Sequence, residues 1–192
     1  MEEELISRAK DGDAQAFERL MSAYEKKVYC LCLRMMGSSH DGEDAAQEAM
    51  VRIWQKLSQY RGESGFSTWV YRVTASACTD ALRKRARRAQ PSLEVLHEEG
   101  FEPKDEAPTP QQNVEQGERK KALERAIQNI PEPMRLVFLL RDVHGRSVEE
   151  TAEALGVSSG TVKSRLSRAR EKIAAELHET GLFDHRGQEG KR

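Results

Sequence analysis

The sequence predicts an all-α protein: two small helical domains joined by a flexible acidic linker, the second carrying a helix-turn-helix. Three observations predict it. All six prolines lie between Pro91 and Pro133, so helix breakers are confined to the middle of the 192-residue chain. On either side, apolar residues recur at steps of three and four, the period of a helix, and no alternating strand pattern appears. Near the C-terminus, a short helical pattern, a glycine and a second capped helical pattern follow in quick succession.

The charge divides the chain at the same places. The formal net charge is only -1, yet residues 83–88 carry five cations in Arg83-Lys84-Arg85-Ala86-Arg87-Arg88. From Pro91 to Gly117, seven acids face a single lysine. Few apolar residues, high net charge and several prolines mark a segment without its own core. The expected layout is therefore a first domain over 1–90, a linker over 91–117, a second domain over 118–180 and a disordered tail over 181–192. No apolar run approaches the ~20 residues of a membrane span. The start, Met1-Glu2-Glu3-Glu4, is acidic where a signal peptide is basic. Three cysteines, an odd number, suit a reducing cytoplasm rather than a disulfide framework.

In the first block, Phe17, Leu20, Tyr24, Val28, Leu31 and Met35 predict one long helix, capped by Asp13 and ended by Gly37. The next helix carries Ala45, Ala46, Ala49, Met50, Ile53, Trp54 and Leu57 on its apolar side, and Asp44, Gln47, Glu48 and Arg52 on its polar side. The loop 59–65 leads to a helix from about Ser67 to Arg88, striped by Trp69, Val73, Ala77 and Ala81. In the second block, Ala122, Leu123, Ala126, Ile127 and Ile130 make a helix stopped by Pro131. Pro133 opens the next at its first turn. Ser147-Val148-Glu149-Glu150 has the form of a capping box, and Gly156 ends that helix. The last helix runs to about Leu177 and buries Val162, Leu166, Ala169 and Ile173.

Residues 147–172 thus have the length and punctuation of a helix-turn-helix. The second helix offers Thr161, Lys163, Ser164, Arg165, Ser167, Arg168, Arg170 and Lys172. Such a helix fits the major groove, where side chains near its N-terminus reach base edges and cations neutralise phosphates. A solvated helical hairpin is the plain alternative; the turn and the one-sided charge together favour DNA binding. A second candidate surface joins Tyr60, Phe66, Trp69 and Tyr71 to Arg61, Arg72, Arg83 and Lys84. Aromatic faces stack on unpaired bases while cations follow the backbone. Trp69 fits the core stripe better than the platform, whereas Tyr60 and Phe66, in or beside the Gly-rich loop, fit the core less well. Cys30, Cys32, Cys78 and the five scattered histidines lack metal-ligand spacing, and no nucleophile elbow or phosphate loop is present. No metal, cofactor, small-molecule substrate or enzymatic reaction is expected.

Two runs carry a family resemblance. The first comprises Asp44-Ala45-Ala46-Gln47-Glu48, Ile53-Trp54, Tyr60-Arg61-Gly62-Glu63-Ser64 and Phe66-Ser67-Thr68-Trp69-Val70-Tyr71-Arg72. It resembles the second domain of bacterial extracytoplasmic-function (ECF) sigma factors. The run from Gly160 to Arg170 resembles the helix-turn-helix of their fourth domain. The likeness covers roughly residues 10–88 and 118–178.

The resemblance implies a dissociable, cytoplasmic subunit of RNA polymerase serving a stress response. Asp44, Gln47 and Glu48 would dock on core polymerase. Tyr60, Arg61, Phe66, Trp69, Arg72, Ser76, Arg83 and Lys84 would capture the unpaired strand of the -10 element. Thr161, Lys163, Ser164, Arg165, Ser167 and Arg168 would read the -35 element. The partners implied are core polymerase, promoter DNA and an anti-sigma factor clamping two mutually mobile domains. The linker would thread toward the active centre. Ser76 stands where many members have Asn, and Ser167 where some carry a larger side chain. The rival reading is a free-standing helix-turn-helix regulator.

Overall fold

The computed structural model describes the backbone of residues 1–88 and 110–181 and the side chains of 1–88 and 117–181. Nine α-helices make up these residues, with no strand among them. The first block holds α1 (Glu2–Lys10), α2 (Ala14–Met21), α3 (Glu25–Met36), α4 (Ser39–Lys56) and α5 (Phe66–Arg88). The second holds α6 (Pro110–Asn129), α7 (Glu132–Phe138), α8 (Val148–Leu155) and α9 (Ser159–Glu179). The linker over 91–109 and the tail beyond Gly181 lie outside the described residues; the stretch 110–117 assigned to the linker opens α6 instead.

Local chemistry accounts for most boundaries. Asp13 accepts from the Ala16 amide, Ser38 from Asp41 and Ser158 from Thr161, each side chain satisfying an amide left open at a helix start. The capping box at α8 is complete: Ser147 Oγ accepts from the Glu150 amide at 3.0 Å, and the Glu150 carboxylate accepts from the Ser147 amide at 2.7 Å. Gly37 and Gly156 end α3 and α8 with φ of 71° and 64°, the left-handed conformation that glycine adopts without penalty.

The long first helix of the sequence reading is two helices. The chain breaks at residues 22–24, where Ser22 Oγ donates to the Arg19 carbonyl and the Tyr24 amide bonds Met21. A serine hydroxyl that bonds backbone competes with helix continuation, while Val28, Leu31 and Met35 remain buried on α3. Two further positions depart from the apolar pattern: Leu123 and Trp54 are 37% and 38% exposed.

The two blocks pack against each other. One hydrophobic core contains Leu31, Met35, Ile53 and Tyr71 of the first block together with Ile127, Ile130, Leu139 and Leu140 of the second. A smaller cluster of Val137, Ala152, Val162 and Leu166 holds the helix-turn-helix together.

Candidate nucleic-acid interface

Three surfaces carry the candidate residues. On α4, burial of Ala45, Ala49 and Ile53 against the core turns Asp44, Gln47 and Glu48 outward, and all three are exposed. The spacing 44, 47, 51, 54 forms one continuous helical stripe, so Val51 and Trp54 extend the patch with exposed apolar surface. Trp54 packs edge-on against Phe17, ring centroids 4.8 Å apart, and keeps its other side in solvent. Sequence reasoning placed Trp54 inside because neighbouring Ile53 belongs there; the i, i+3, i+7 relation to Val51 and Gln47 is the signal that could have found it. Arg52 bridges Glu48 at 2.7 Å and Asp80 of α5 at 2.6 Å. These two carboxylates raise the guanidinium pKa and fasten the polar face of α4 to α5.

The second surface surrounds the loop before α5. The Tyr60 hydroxyl donates to the Ser64 carbonyl at 2.7 Å, closing the loop on itself, and Gly62 takes a φ of 77° within it. Lys10 of α1 donates to the Tyr60 carbonyl and lies 5.3 Å from its ring centroid. An open cleft of about 590 Å³ is lined by Tyr60, Arg61, Glu63, Trp69 and Arg72, among others. Behind it stands an aromatic cluster: Tyr60 lies 5.3 Å from Phe66 and 5.4 Å from Trp69, and Phe66 stacks on Trp69 at 5.7 Å.

This arrangement sorts the predicted strand-capture residues. Phe66 and Trp69 are 5% and 8% exposed, so Phe66 is a core support and Trp69 shows the cleft only an edge. Tyr71 is buried outright. Tyr60 is half-buried, and burial pushes its hydroxyl pKa up, keeping it neutral. Arg61, Arg72 and Ser76 are exposed. Arg83 and Lys84 are exposed too, but lie about 17 and about 18 Å beyond Arg72 along α5.

The third surface is α9. Val162, Leu166 and Ala169 anchor it, leaving Lys163, Ser164, Ser167 and Arg168 exposed and Thr161 and Arg165 half-buried. The hydroxyls are already oriented: Ser164 donates to the Thr161 carbonyl at 3.1 Å, and Ser167 to Glu171 at 2.9 Å. Arg170 leaves the basic face. It forks onto Asp142 with bonds of 2.8 and 2.7 Å, tying α9 to the segment after α7. Among the described residues, no group of three or more metal-ligating side chains comes together, and no helix is long and apolar enough to cross a membrane.

A helical block with an aromatic cleft, followed by a basic helix-turn-helix, defines a class of promoter-reading transcription factor, and comparison with known proteins agrees. Residues 20–88 match the family "Sigma-70 region 2" and residues 120–173 match "Sigma-70, region 4". The chain is 32% identical to the RNA polymerase sigma-H factor of Pseudomonas aeruginosa, covering 90% of this chain and 91% of the other. It is 32% identical to the ECF RNA polymerase sigma factor SigW of Bacillus subtilis over 91% of this chain and 95% of that one. It is 34% identical to the ECF sigma-E factor of Escherichia coli over 88% and 90%. A solved sigma factor, RpoE of Bartonella quintana bound to the anti-sigma factor NepR, shares the fold with a TM-score of 0.70 at 22% identity, covering 86% of this chain and 98% of that one. CnrH bound to the cytosolic domain of CnrY gives 0.64, also at 22% identity, over 91% and 96%. The chain belongs to the ECF family of RNA polymerase sigma factors.

Proposed function

We propose that this chain binds core RNA polymerase through α4, captures unpaired -10 DNA at the α5 cleft and reads the -35 element with α9. As a sigma factor it directs core polymerase to promoters; the free-standing regulator is not favoured. The observation that carries the site assignments is the division of surfaces: an exposed polar-apolar stripe on α4, a cleft edged by Tyr60 and Arg72, and a basic helix with anchored hydroxyls. Each matches a different partner chemistry. The α4 stripe offers Asp44, Gln47 and Glu48 around Val51 and Trp54, a polar rim about an apolar centre, as protein interfaces prefer. The cleft can hold a single extruded base, with Arg61 and Arg72 for the backbone and Tyr60 at its wall. Ser76, exposed on α5, has no amide with which to bond a base edge. Arg83 and Lys84 hold phosphates further along the strand. On α9, Arg165 and Arg168 reach base edges, while Lys163, Thr161, Ser164 and Ser167 contact phosphates or bases beside them.

The factor works in the cytoplasm and carries out no reaction of its own. Its off-state partner is an anti-sigma factor, a reading supported by the solved RpoE, which shares this fold, being held in complex with the anti-sigma factor NepR. The test is run-off transcription on a promoter library with core polymerase, beside gel-shifts with and without core. Core-dependent binding and a defined start site are expected; duplex binding by the chain alone would favour the free-standing regulator.

A further inference from the structure

Helix α1 lies ahead of residues 20–88, the part of the first block that matches sigma-70 region 2. It is nevertheless built into that block. Ile6 and Ala9 are buried and seat it in the core. Near its end, Arg8 Nε and Nη2 both donate to Asp13 Oδ2, at 3.0 and 2.6 Å. The same carboxylate caps α2 through the Ala16 amide at 3.0 Å. The amide bond first, and then Arg8, hold that carboxyl below the usual carboxylate range.

So placed, α1 meets the cleft and its aromatic support at two points. At its start, Glu2 accepts from the Tyr24 hydroxyl at 2.6 Å, and the Tyr24 ring meets Phe66 edge-on at 5.5 Å. Phe66 in turn meets Tyr60 and stacks on Trp69. At its last residue, Lys10 Nζ donates to the Tyr60 carbonyl and stands 5.3 Å from the Tyr60 ring centroid. The other bonds described for Tyr60 are local. Its amide donates to Leu57 at 3.0 Å and its hydroxyl to Ser64 at 2.7 Å, both within four residues. They shape the loop, whereas the bond from Lys10 crosses 50 positions of sequence and ties the loop to another helix. A charged donor makes a stronger bond than a neutral one, and an ammonium near the ring adds a cation–π attraction.

We infer that Lys10 is a positioning residue for strand capture: from outside the matched domain it fixes the Tyr60 carbonyl and ring, and with them the wall of the cleft, before a base arrives. This rests on the assignment of the cleft to the unpaired strand. A wall already in place spares the cost of ordering the loop on binding. Losing the hold therefore slows strand capture and leaves docking through α4 alone. Lys10 is itself exposed, so its rival role is a direct contact to a DNA phosphate.

The test uses the full chain assembled with core polymerase. Lys10→Met keeps an unbranched side chain and removes its charge and its donors. Open-complex formation on duplex promoter DNA should slow roughly threefold to tenfold, the range expected from one lost hydrogen bond. A pre-melted template should show little change, and Lys10→Arg should recover most of the lost rate. In a Tyr60→Ala background, Lys10→Met should add little, because the ring it positions is gone. Binding to the pre-melted template should keep the wild-type salt dependence. A phosphate contact would instead add its loss to that of Tyr60→Ala and lower the salt slope by about 0.7. If Lys10→Met loses helicity by circular dichroism, Lys10→Gln carries the same comparison. That additive, salt-sensitive pattern, or wild-type opening rates in the Lys10 variants while Tyr60→Ala is slow, would overturn the positioning role. A Tyr60→Ala chain that opens duplex DNA at the wild-type rate would overturn the cleft assignment, and the role of Lys10 with it.

Discussion

Arg168 and Tyr60 show what single residues are asked to do. Arg168 is exposed on α9, one turn beyond Ser164, where a bidentate contact to guanine gives about 1–3 kcal/mol of discrimination. Arg168→Ala should relax preference at one or two positions of the upstream element in a promoter-library selection. A loss spread evenly over all sequences would make it a phosphate contact instead. Tyr60 closes its loop through Ser64 and walls the cleft. Tyr60→Ala should slow promoter opening on duplex DNA and matter little on a pre-melted template, read by open-complex kinetics; equal defects on both would assign Tyr60 to folding. At this scale the sequence was legible where a residue's local partner is a neighbour in the chain. Asp13, Ser147 and Ser158 cap as their spacing required. It was less legible for aromatic residues: a surface platform and an aromatic core are written with the same letters, and only packing buried Phe66 and left Tyr60 at the cleft.

At the scale of the element, periodicity identified the apolar faces of α5 and α9, including Val162, Leu166, Ala169 and Ile173, all buried. It ran α2 and α3 together because their apolar residues keep step across the break at residues 22–24. The amphipathic pattern of α4 was clear except at Trp54. A large ring can meet Phe17 edge-on and still keep part of its surface in solvent, a position no periodic rule resolves. That boundary matters for docking. Asp44→Lys/Glu48→Lys should weaken core binding by roughly tenfold or more while changing fold stability by about 0.5 kcal/mol or less, since both side chains are exposed. Glu48 also holds Arg52 at 2.7 Å, but Asp80 retains that arginine after reversal. Unchanged core affinity in a competition assay would remove α4 from the polymerase interface.

At the scale of the molecule, composition and punctuation separated two blocks, and neither revealed that the blocks share a core. Contacts between residues about a hundred positions apart, such as Arg135 to Met35, leave no local trace in a sequence. One consequence of that packing is a dependence on pH. His144 lies inside the closure beside Tyr71 of α5, with Arg34 and Lys27 of α3 and its own neighbour Arg146 around it. Burial first, and then those three cations, depress its pKa from 6.5 to about 4. The closed state therefore favours the neutral ring, whereas an opened or unfolded chain binds a proton near the ordinary histidine value. The stability that closure gains from this group is full above pH 6.5. It declines as pH falls toward 4, by at most about 1.4 kcal/mol per unit for one proton. The window that tests this runs from about pH 7.5 to 5. Scattering over that window should show the chain expanding below about pH 6.5. His144→Gln, which has no proton to gain, should flatten the response. An equal expansion in His144→Gln would assign the pH dependence to other groups, and a chain whose dimensions hold constant down to pH 5 would show that the packing of the two blocks outlasts the loss of this contribution.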